Sequence, residues 1–231
     1  MNDHHTGSPS SAPSAADPVL AMIPLGDYQT NGFVVADERA ADACWIVDCG
    51  DRPEALLDAV EASGRRPVGI LLTHCHHDHI AGIDRALARF GPMPIRCHRL
   101  EADWNATPML NLSAFLGTPA TATPPDETFE DGDPCPLGPG WRILHLPGHS
   151  PGSSGFLHEP SGTLIAGDTL FSGSIGRIDF PTSDPEAMRA SLRRLMTLPD
   201  TVRVLPGHGP GTTIGQERAG NAFLKDGEPA F

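Results

Sequence analysis

The chain has 231 residues, enough for one large domain or two small ones with a buried core. A hydrophobic content of 39% with 25 Gly and 24 Pro describes a loop-rich globular protein and argues against a helical bundle. The net charge is −13 and no run of Lys or Arg interrupts it, so neither nucleic acid nor an anionic membrane surface is expected as a partner. No window approaches the apolar length that spans a bilayer. Cys44, Cys49, Cys75, Cys97 and Cys135 are odd in number and form no C-x-x-C pair. A disulfide framework is therefore not expected, and a cytoplasmic, reducing setting is the simplest one. Nothing here specifies an oligomeric state.

In chain order, residues 1–17 are Ser, Ala, Pro, Asp and His without an apolar core, and read as a disordered tail instead of a signal peptide, with His4 and His5 solvated. The folded domain is expected over 18–231. Val19–Leu25, Gly32–Ala36 and Cys44–Val47 are short apolar runs broken by Gly, Asp and Asn, as consecutive strands are. Pro53–Ser63 reads as a helix, Val68–Thr73 as a strand buried on both faces, and Gly82–Phe90 as a second helix. Across 99–128, Trp104, Met109, Leu110, Leu112, Phe115 and Leu116 suggest an amphipathic stretch that Pro108, Pro119, Pro124 and Pro125 break. Trp141–Leu146, Ser154–His158 and Thr163–Ala166 form a second set of strands. Pro185–Leu198 is a helix capped by Asp184, with Met188, Leu192, Leu195 and Met196 inward. Arg203–Leu205 is a last buried strand, and a final helix begins near Thr212. The order predicts layered α/β architecture, two stacked sheets with helices outside.

The decisive segment is Leu72-Thr73-His74-Cys75-His76-His77-Asp78-His79-Ile80-Ala81-Gly82, read as a loop between a buried strand and a helix. Residues two apart in extended chain point the same way, so His74 and His76 can grip one ion, while Asp78 and His79 face a neighbouring position after the turn. Further ligands are expected at three strand ends, each beside Gly: His149, Asp168 and His208. Imidazole and carboxylate suit zinc, with iron or manganese as alternatives. Any one of these residues alone reads more simply as structural, and His77, His98, His145 and His158 are left there. The spacing of Cys75 suits a place behind the ligands.

This pattern resembles the metallo-β-lactamase superfamily, with its H-x-H-x-D-H signature followed by His, Asp and His on later strands. The resemblance covers nearly everything after the tail and implies an α/β, four-layered αββα fold, two mixed sheets sandwiched between helices. It implies two divalent metal ions: His74, His76 and His149 on the first, Asp78, His79 and His208 on the second, and Asp168 bridging. The β-lactamases of this fold typically replace the residue equivalent to His79 and place Cys at the bridging position, so an antibiotic hydrolase is not expected. The nucleases need basic surfaces that this composition lacks.

What remains resembles the glyoxalase II group. Ala166-Gly167-Asp168-Thr169-Leu170-Phe171 through Gly176-Arg177-Ile178-Asp179-Phe180 looks like its G-D-T-L-F…G-x-G-R segment, and the ending from Pro206 to Leu224 looks like its short bacterial members. The implied function is metal-dependent hydrolysis of a small-molecule thioester such as acyl-glutathione, with Asp78 and Asp168 orienting the attacking water. Long members carry a C-terminal helical domain for glutathione. This chain stops at Phe231 and has one Tyr (Tyr28) and one Lys (Lys225), so the thioester is better supported than its thiol. Persulfide dioxygenases share Thr73–His76 and Gly176–Phe180. They hold one iron, for which His74, His149 and Asp168 would serve. Arg177 is the candidate for an anionic substrate end, against a salt bridge to Asp179 or Asp184. Segment 99–128 is read as a lid with Trp104 or Phe115 in the pocket, or equally as core.

Overall fold

The structure, a computed structural model, describes residues 17–231 apart from positions 118 and 226. The tail expected over 1–17, with His4 and His5, lies outside the described residues except for Asp17. Asp17 accepts a hydrogen bond from the Val19 amide (3.1 Å) and pairs with Arg203 (2.7 Å).

The first sheet holds β1 (Val19–Leu25), β2 (Thr30–Ala36), β3 (Ala43–Val47), β4 (Arg66–Leu71), β5 (Ile95–His98) and β6 (Glu127–Phe129) in that spatial order. Strands β1 to β3 pair antiparallel and β3 to β6 parallel. Parallel neighbours require crossovers. The helix α1 (Glu54–Ala62) provides the first, and α2 (His77–Ile80) followed by α3 (Ile83–Phe90) provides the second. The chain then enters β7 (Trp141–His145), β8 (Ser154–His158) and β9 (Thr163–Gly167), followed by a hairpin of β10 (Leu170–Phe171) and β11 (Ser174–Ile175). Next come α4 (Pro185–Leu195), β12 (Arg203–Pro206), β13 (Thr212–Thr213) and α5 (Ile214–Gly220). The second sheet is ordered β13-β12-β9-β8-β7, with only β12 and β9 parallel.

Strand alternation sorts side chains into three layers of core. Phe33, Val35, Trp45, Val47 and Leu71 face Trp141, Ile143, Phe156 and Ile165 across the two sheets. Their neighbours in sequence, Val34, Ile46 and Ile70, point outward onto Leu56, Val60, Ile83 and Ala86 of α1 and α3. On the far side Leu157, Leu164 and Val204 meet Met188, Leu192 and Leu195 of α4. Helix, sheet, sheet, helix is the four-layered αββα order predicted. Each large apolar side chain so buried is worth about 1.5–3 kcal/mol, so these layers carry the stability and leave the strand ends free for polar work.

Several boundaries differ from the sequence reading. Strands β5 and β6 were not anticipated; at four and three residues they are too short for alternation to show, and pairing creates them, β5 against β4 and β6 against β5. The His-rich segment is not all loop: it becomes helical at His77. Helix α4 ends at Leu195, short of Leu198: the Thr197 and Leu198 amides bond carbonyls three residues back, a tightened last turn, and Pro199 disfavours helical backbone at Leu198. Asp184 caps it as expected, its carboxylate accepting from the Glu186 and Ala187 amides (2.8 and 3.1 Å). Among the described residues no helix is long and apolar enough to cross a membrane.

Candidate metal centre

Each candidate ligand sits just past the carboxyl end of a strand: His74 and His76 after β4, His149 after β7, Asp168 after β9, and His208 after β12. The sheets stack with these ends together, so residues up to 134 positions apart in sequence share one floor. Helix α2 begins at His77 and turns Asp78 and His79 towards the same place. The donor atoms fall into three groups, each within 4.8 Å: His74, His76 and His149; His74, His79 and Asp168; and Asp78, His79 and His208. Asp168 lies between the outer two. Its Oδ2 is 3.5 Å from His149 Nε2 and 3.4 Å from His208 Nε2, and its Oδ1 is 3.4 Å from His79 Nε2. Asp78 Oδ2 is 3.2 Å from His208 Nε2 and 3.5 Å from His79 Nε2.

These residues fit divalent cations on three counts. Around an ion bound at about 2.0–2.2 Å, neighbouring ligand atoms stand roughly 3–3.5 Å apart, which is the spacing seen. Three buried atoms here, His74 Nε2, His79 Nε2 and Asp168 Oδ1, have no hydrogen-bond partner, a costly arrangement unless a cation meets them, while His76 presents Nδ1 to the group, 2.9 Å from His149 Nε2. Charge agrees. Burial pushes His74 well below the ordinary imidazole range and His76 down to about 3, leaving both neutral with free lone pairs. At His208 burial opposes charge, but the Asp168 and Asp78 carboxylates outweigh it and raise the ring to about 10. The carboxylates thus demand positive charge.

The other ring nitrogens are spoken for, which fixes which atom faces inward. His79 Nδ1 donates to Asp48 Oδ2 (2.8 Å), His149 Nδ1 to the Arg177 carbonyl (2.9 Å), and His208 Nδ1 to the Tyr28 carbonyl (2.9 Å). His74 Nδ1 meets Thr73 Oγ1 (3.1 Å), which itself donates to Asp48 Oδ2 (2.7 Å). Thr30 Oγ1 donates to Asp78 Oδ2 (2.7 Å). Close backbone approach explains two glycines. A Cβ on Gly207 would collide with Asp168 Oδ1, and one on Gly176 with the Asp168 carbonyl.

Residues 25–208 match the family model of the metallo-beta-lactamase superfamily. The chain belongs to that superfamily. It is a metal-dependent hydrolase of this group, similar to the probable metallo-hydrolase YqgX of Bacillus subtilis (36% identity over 87% of this chain and 95% of the relative). It is also similar to the hydroxyacylglutathione hydrolase GloC of Haemophilus influenzae (33% identity, 89% and 97%). Among solved structures it resembles the BLEG-1 B3 metallo-beta-lactamase (38% identity, TM-score 0.81, covering 88% and 98%). It equally resembles TTHA1623 in a di-iron-bound form (36% identity, TM-score 0.77, 88% and 100%). A β-lactamase thus stands beside a thioester hydrolase at comparable identity, although the sequence reading set β-lactamases aside on His79 and Asp168.

Sequence reasoning missed two buried carboxylates that hold this metallo-beta-lactamase site. Asp48 directly follows β3, the same strand-end position as the ligands, and that placement was the available signal. Its φ of 55° is left-handed, which Asp tolerates better than most residues. Glu101 is fully buried and accepts from the Cys75 amide (2.6 Å), the Gly152 amide (2.7 Å) and Ser150 Oγ. It staples the backbone between His74 and His76 to the loop after His149. Cys75 itself points into the core beneath α1 and α3, behind the ligands as its spacing suggested.

A cavity of about 570 Å³ opens over the centre, its floor formed by His76, Asp78, His149, Asp168 and His208. His77, left aside from sequence, lines it too. So does Arg177, whose guanidinium forks onto Asp179 (both contacts 2.8 Å) and lies 4.3 Å over the Phe180 ring. Segment 99–128 divides. Trp104 is buried in the core and stacks on His76, with ring centroids 5.7 Å apart, whereas Phe115 and Leu116 line the cavity. His98 and His145 stack on each other away from the site, and His158 bonds Glu38.

Proposed function

We propose that the protein is a thioester hydrolase of the acyl-glutathione type, using two divalent ions, zinc foremost, on a small-molecule substrate in the cytosol. The observation that carries this reading is the position of Asp168, where two donor groups meet at one carboxylate beneath a cavity of about 570 Å³. The similarity to GloC supports the thioester, and five free, buried thiols suit a reducing compartment. TTHA1623 in its di-iron form makes iron the first alternative metal.

His74, His76 and His149 would hold one ion and Asp78, His79 and His208 the other, with Asp168 between them. Such ions lower the pKa of a shared water towards about 7 and polarise a carbonyl. Asp78 and Asp168 flank His208 at the floor and would orient the attacking water by accepting its hydrogen bonds. The water oxygen joins the thioester carbonyl carbon, and the C–S bond breaks with its electron pair leaving on sulfur. The products are a carboxylate, a thiol and one proton. A Cys-like thiol has a pKa of about 8.5, so the thiolate departs without a dedicated acid. Arg177 would meet an anionic end of the substrate. Leaving Asp179 costs it little, since an exposed ion pair of this kind is weakly held in water.

Zinc-loaded protein should release thiol from acyl-glutathione. His74→Ala and His149→Ala should each lose metal and most activity, and Asp168→Asn should lower occupancy of both positions. Oxygen uptake with glutathione persulfide at one iron per chain, without thiol release, would replace this reading with the mononuclear one. Cleavage of a chromogenic cephalosporin without thiol release would replace it with β-lactam hydrolysis.

A further inference from the structure

The wall of the cavity on the His77 side is built from a short stretch held unusually firmly for something so exposed. Asn111 and Ser113 are fully buried. The Asn111 carbonyl accepts from the His77 amide (2.8 Å), its side-chain oxygen accepts from the Ser113 amide (3.0 Å), and its side-chain nitrogen donates to the Ala120 carbonyl (3.1 Å). Ser113 Oγ both donates to the Ala120 carbonyl (3.0 Å) and accepts from the Ala120 amide (2.9 Å). Between them Leu112 is driven to a φ of 68°, a left-handed conformation that a leucine adopts only when its surroundings impose it. The 3₁₀ turn Ser113–Leu116 follows.

All this polar fastening presents carbon to the cavity. Leu112, Phe115 and Leu116 line it, with Phe115 59% and Leu116 47% exposed. Neither packs against the core clusters, so folding does not account for them. Clustered exposed apolar side chains beside a reactive centre mark a place where a ligand completes the burial. Phe171, Phe180 and Pro181 also line the cavity, and among the described residues Arg177, whose carbonyl accepts from His149 Nδ1, is the one lining side chain with a fixed positive charge.

We propose that Leu112, Phe115 and Leu116 form the acyl-group subsite, and that the enzyme prefers thioesters of apolar acyl groups to those of short hydroxylated ones. The inference rests on the thioester reading above. A hydroxyacyl group would leave this wall in water and set its own hydroxyl against carbon, whereas an alkyl or aryl acyl chain removes apolar surface from water on both sides.

The test is a glutathione thioester series of lactoyl, acetyl, butyryl, hexanoyl and phenylacetyl groups, read as kcat/KM by thiol release. Burial of a methylene against one open wall is expected to raise kcat/KM about two- to fourfold per added carbon. The double variant Phe115→Ser, Leu116→Ser, changed only at exposed positions, should keep its melting temperature and flatten that series. A flat series in the unaltered enzyme, or lactoyl as the best substrate, overturns the subsite. Thiol release from none of the series overturns the thioester reading instead. The subsite is then decided by calorimetry with butyrate, hexanoate and octanoate on the metal-loaded protein. Affinity rising with length in the parent and not in the double variant upholds it, and affinity independent of length overturns it.

Discussion

Asp48 receives the Thr73 amide and hydroxyl and the His79 ring on two oxygens, far from water. Through Thr73 it also reaches His74, so one carboxylate orients a residue from each end of the metal centre. Asn at this position offers a single acceptor oxygen and turns an N–H towards a donor. Asp48→Asn should therefore weaken metal binding about 10- to 100-fold, measured by chelator competition on the intact protein. Unchanged affinity would show that His79 holds its orientation without it. A second residue-scale effect lies outside the centre. Burial, reinforced by His145 stacked at 4.1 Å, lowers His98 to about 4. Its unfolded value is near 6.5, so the native state binds fewer protons between these limits. The stability it contributes is present above pH 6.5 and lost as pH falls towards 4. His98→Asn keeps an acceptor for the Leu100 amide, so its melting temperature should fall less steeply than the parent's over that window, a difference on the order of 2 kcal/mol.

At the scale of elements, Glu101 joins three pieces that have no reason of their own to stay together. It lies on the 3₁₀ turn Arg99–Glu101 after β5, the Cys75 amide belongs to the segment after β4, and Ser150 and Gly152 belong to the segment after β7. Burial pushes its carboxyl above the ordinary range, with the Ser150, Gly152 and Cys75 donors offsetting part of the rise. Glu101→Gln confronts donors with an amide N–H and should cost about 1–3 kcal/mol of stability. As a positioning residue it should also loosen the ion expected between His74, His76 and His149 more than its neighbour. Cobalt-substituted protein would report this as a changed spectrum and reduced affinity for the first equivalent only. Equal weakening of both equivalents would make Glu101 a general structural residue. The division of segment 99–128 belongs to this scale as well. Trp104 and Leu110 enter the core under α1 and α3, while Met109, Phe115 and Leu116 stay exposed. An amphipathic stretch in the sequence shows that two faces exist, but not which side of the chain the core will occupy.

For the whole molecule, the metal centre is also a junction. The Asn31 amide on β2 donates to the Gly207 carbonyl after β12 (2.7 Å), and its side chain donates to the Pro206 and Gly209 carbonyls (both 2.9 Å). Ligands from both sheets thus meet where the sheets are already tied. Ions bound here favour the folded state by mass action, by about 2.7 kcal/mol when free metal exceeds Kd a hundredfold. Chelation should accordingly lower the melting temperature of the entire domain in one cooperative transition, restored by added metal. Loss of the ions without any shift in melting temperature would mean that the scaffold holds its carboxylates together unaided.

The sequence by itself determined the seven candidate ligands, the family, the layered α/β architecture and the cap of α4. Histidines and aspartates at such spacings beside strand-end glycines have few other uses, and alternation along buried strands is a local property. The tertiary structure alone decided that Asp48 and Glu101 support the site, since a carboxylate's role depends on which amides and rings surround it. It alone formed β5 and β6, which exist through pairing with β4 and with β5 in turn. It placed Arg177 on Asp179 at the cavity rim, and it sent Trp104 inward and Phe115 outward. Apart from the local Arg177–Asp179 pair, which the sequence offered as one of two readings, those outcomes depend on partners distant in the chain, and no short window of residues contains both halves of such a contact.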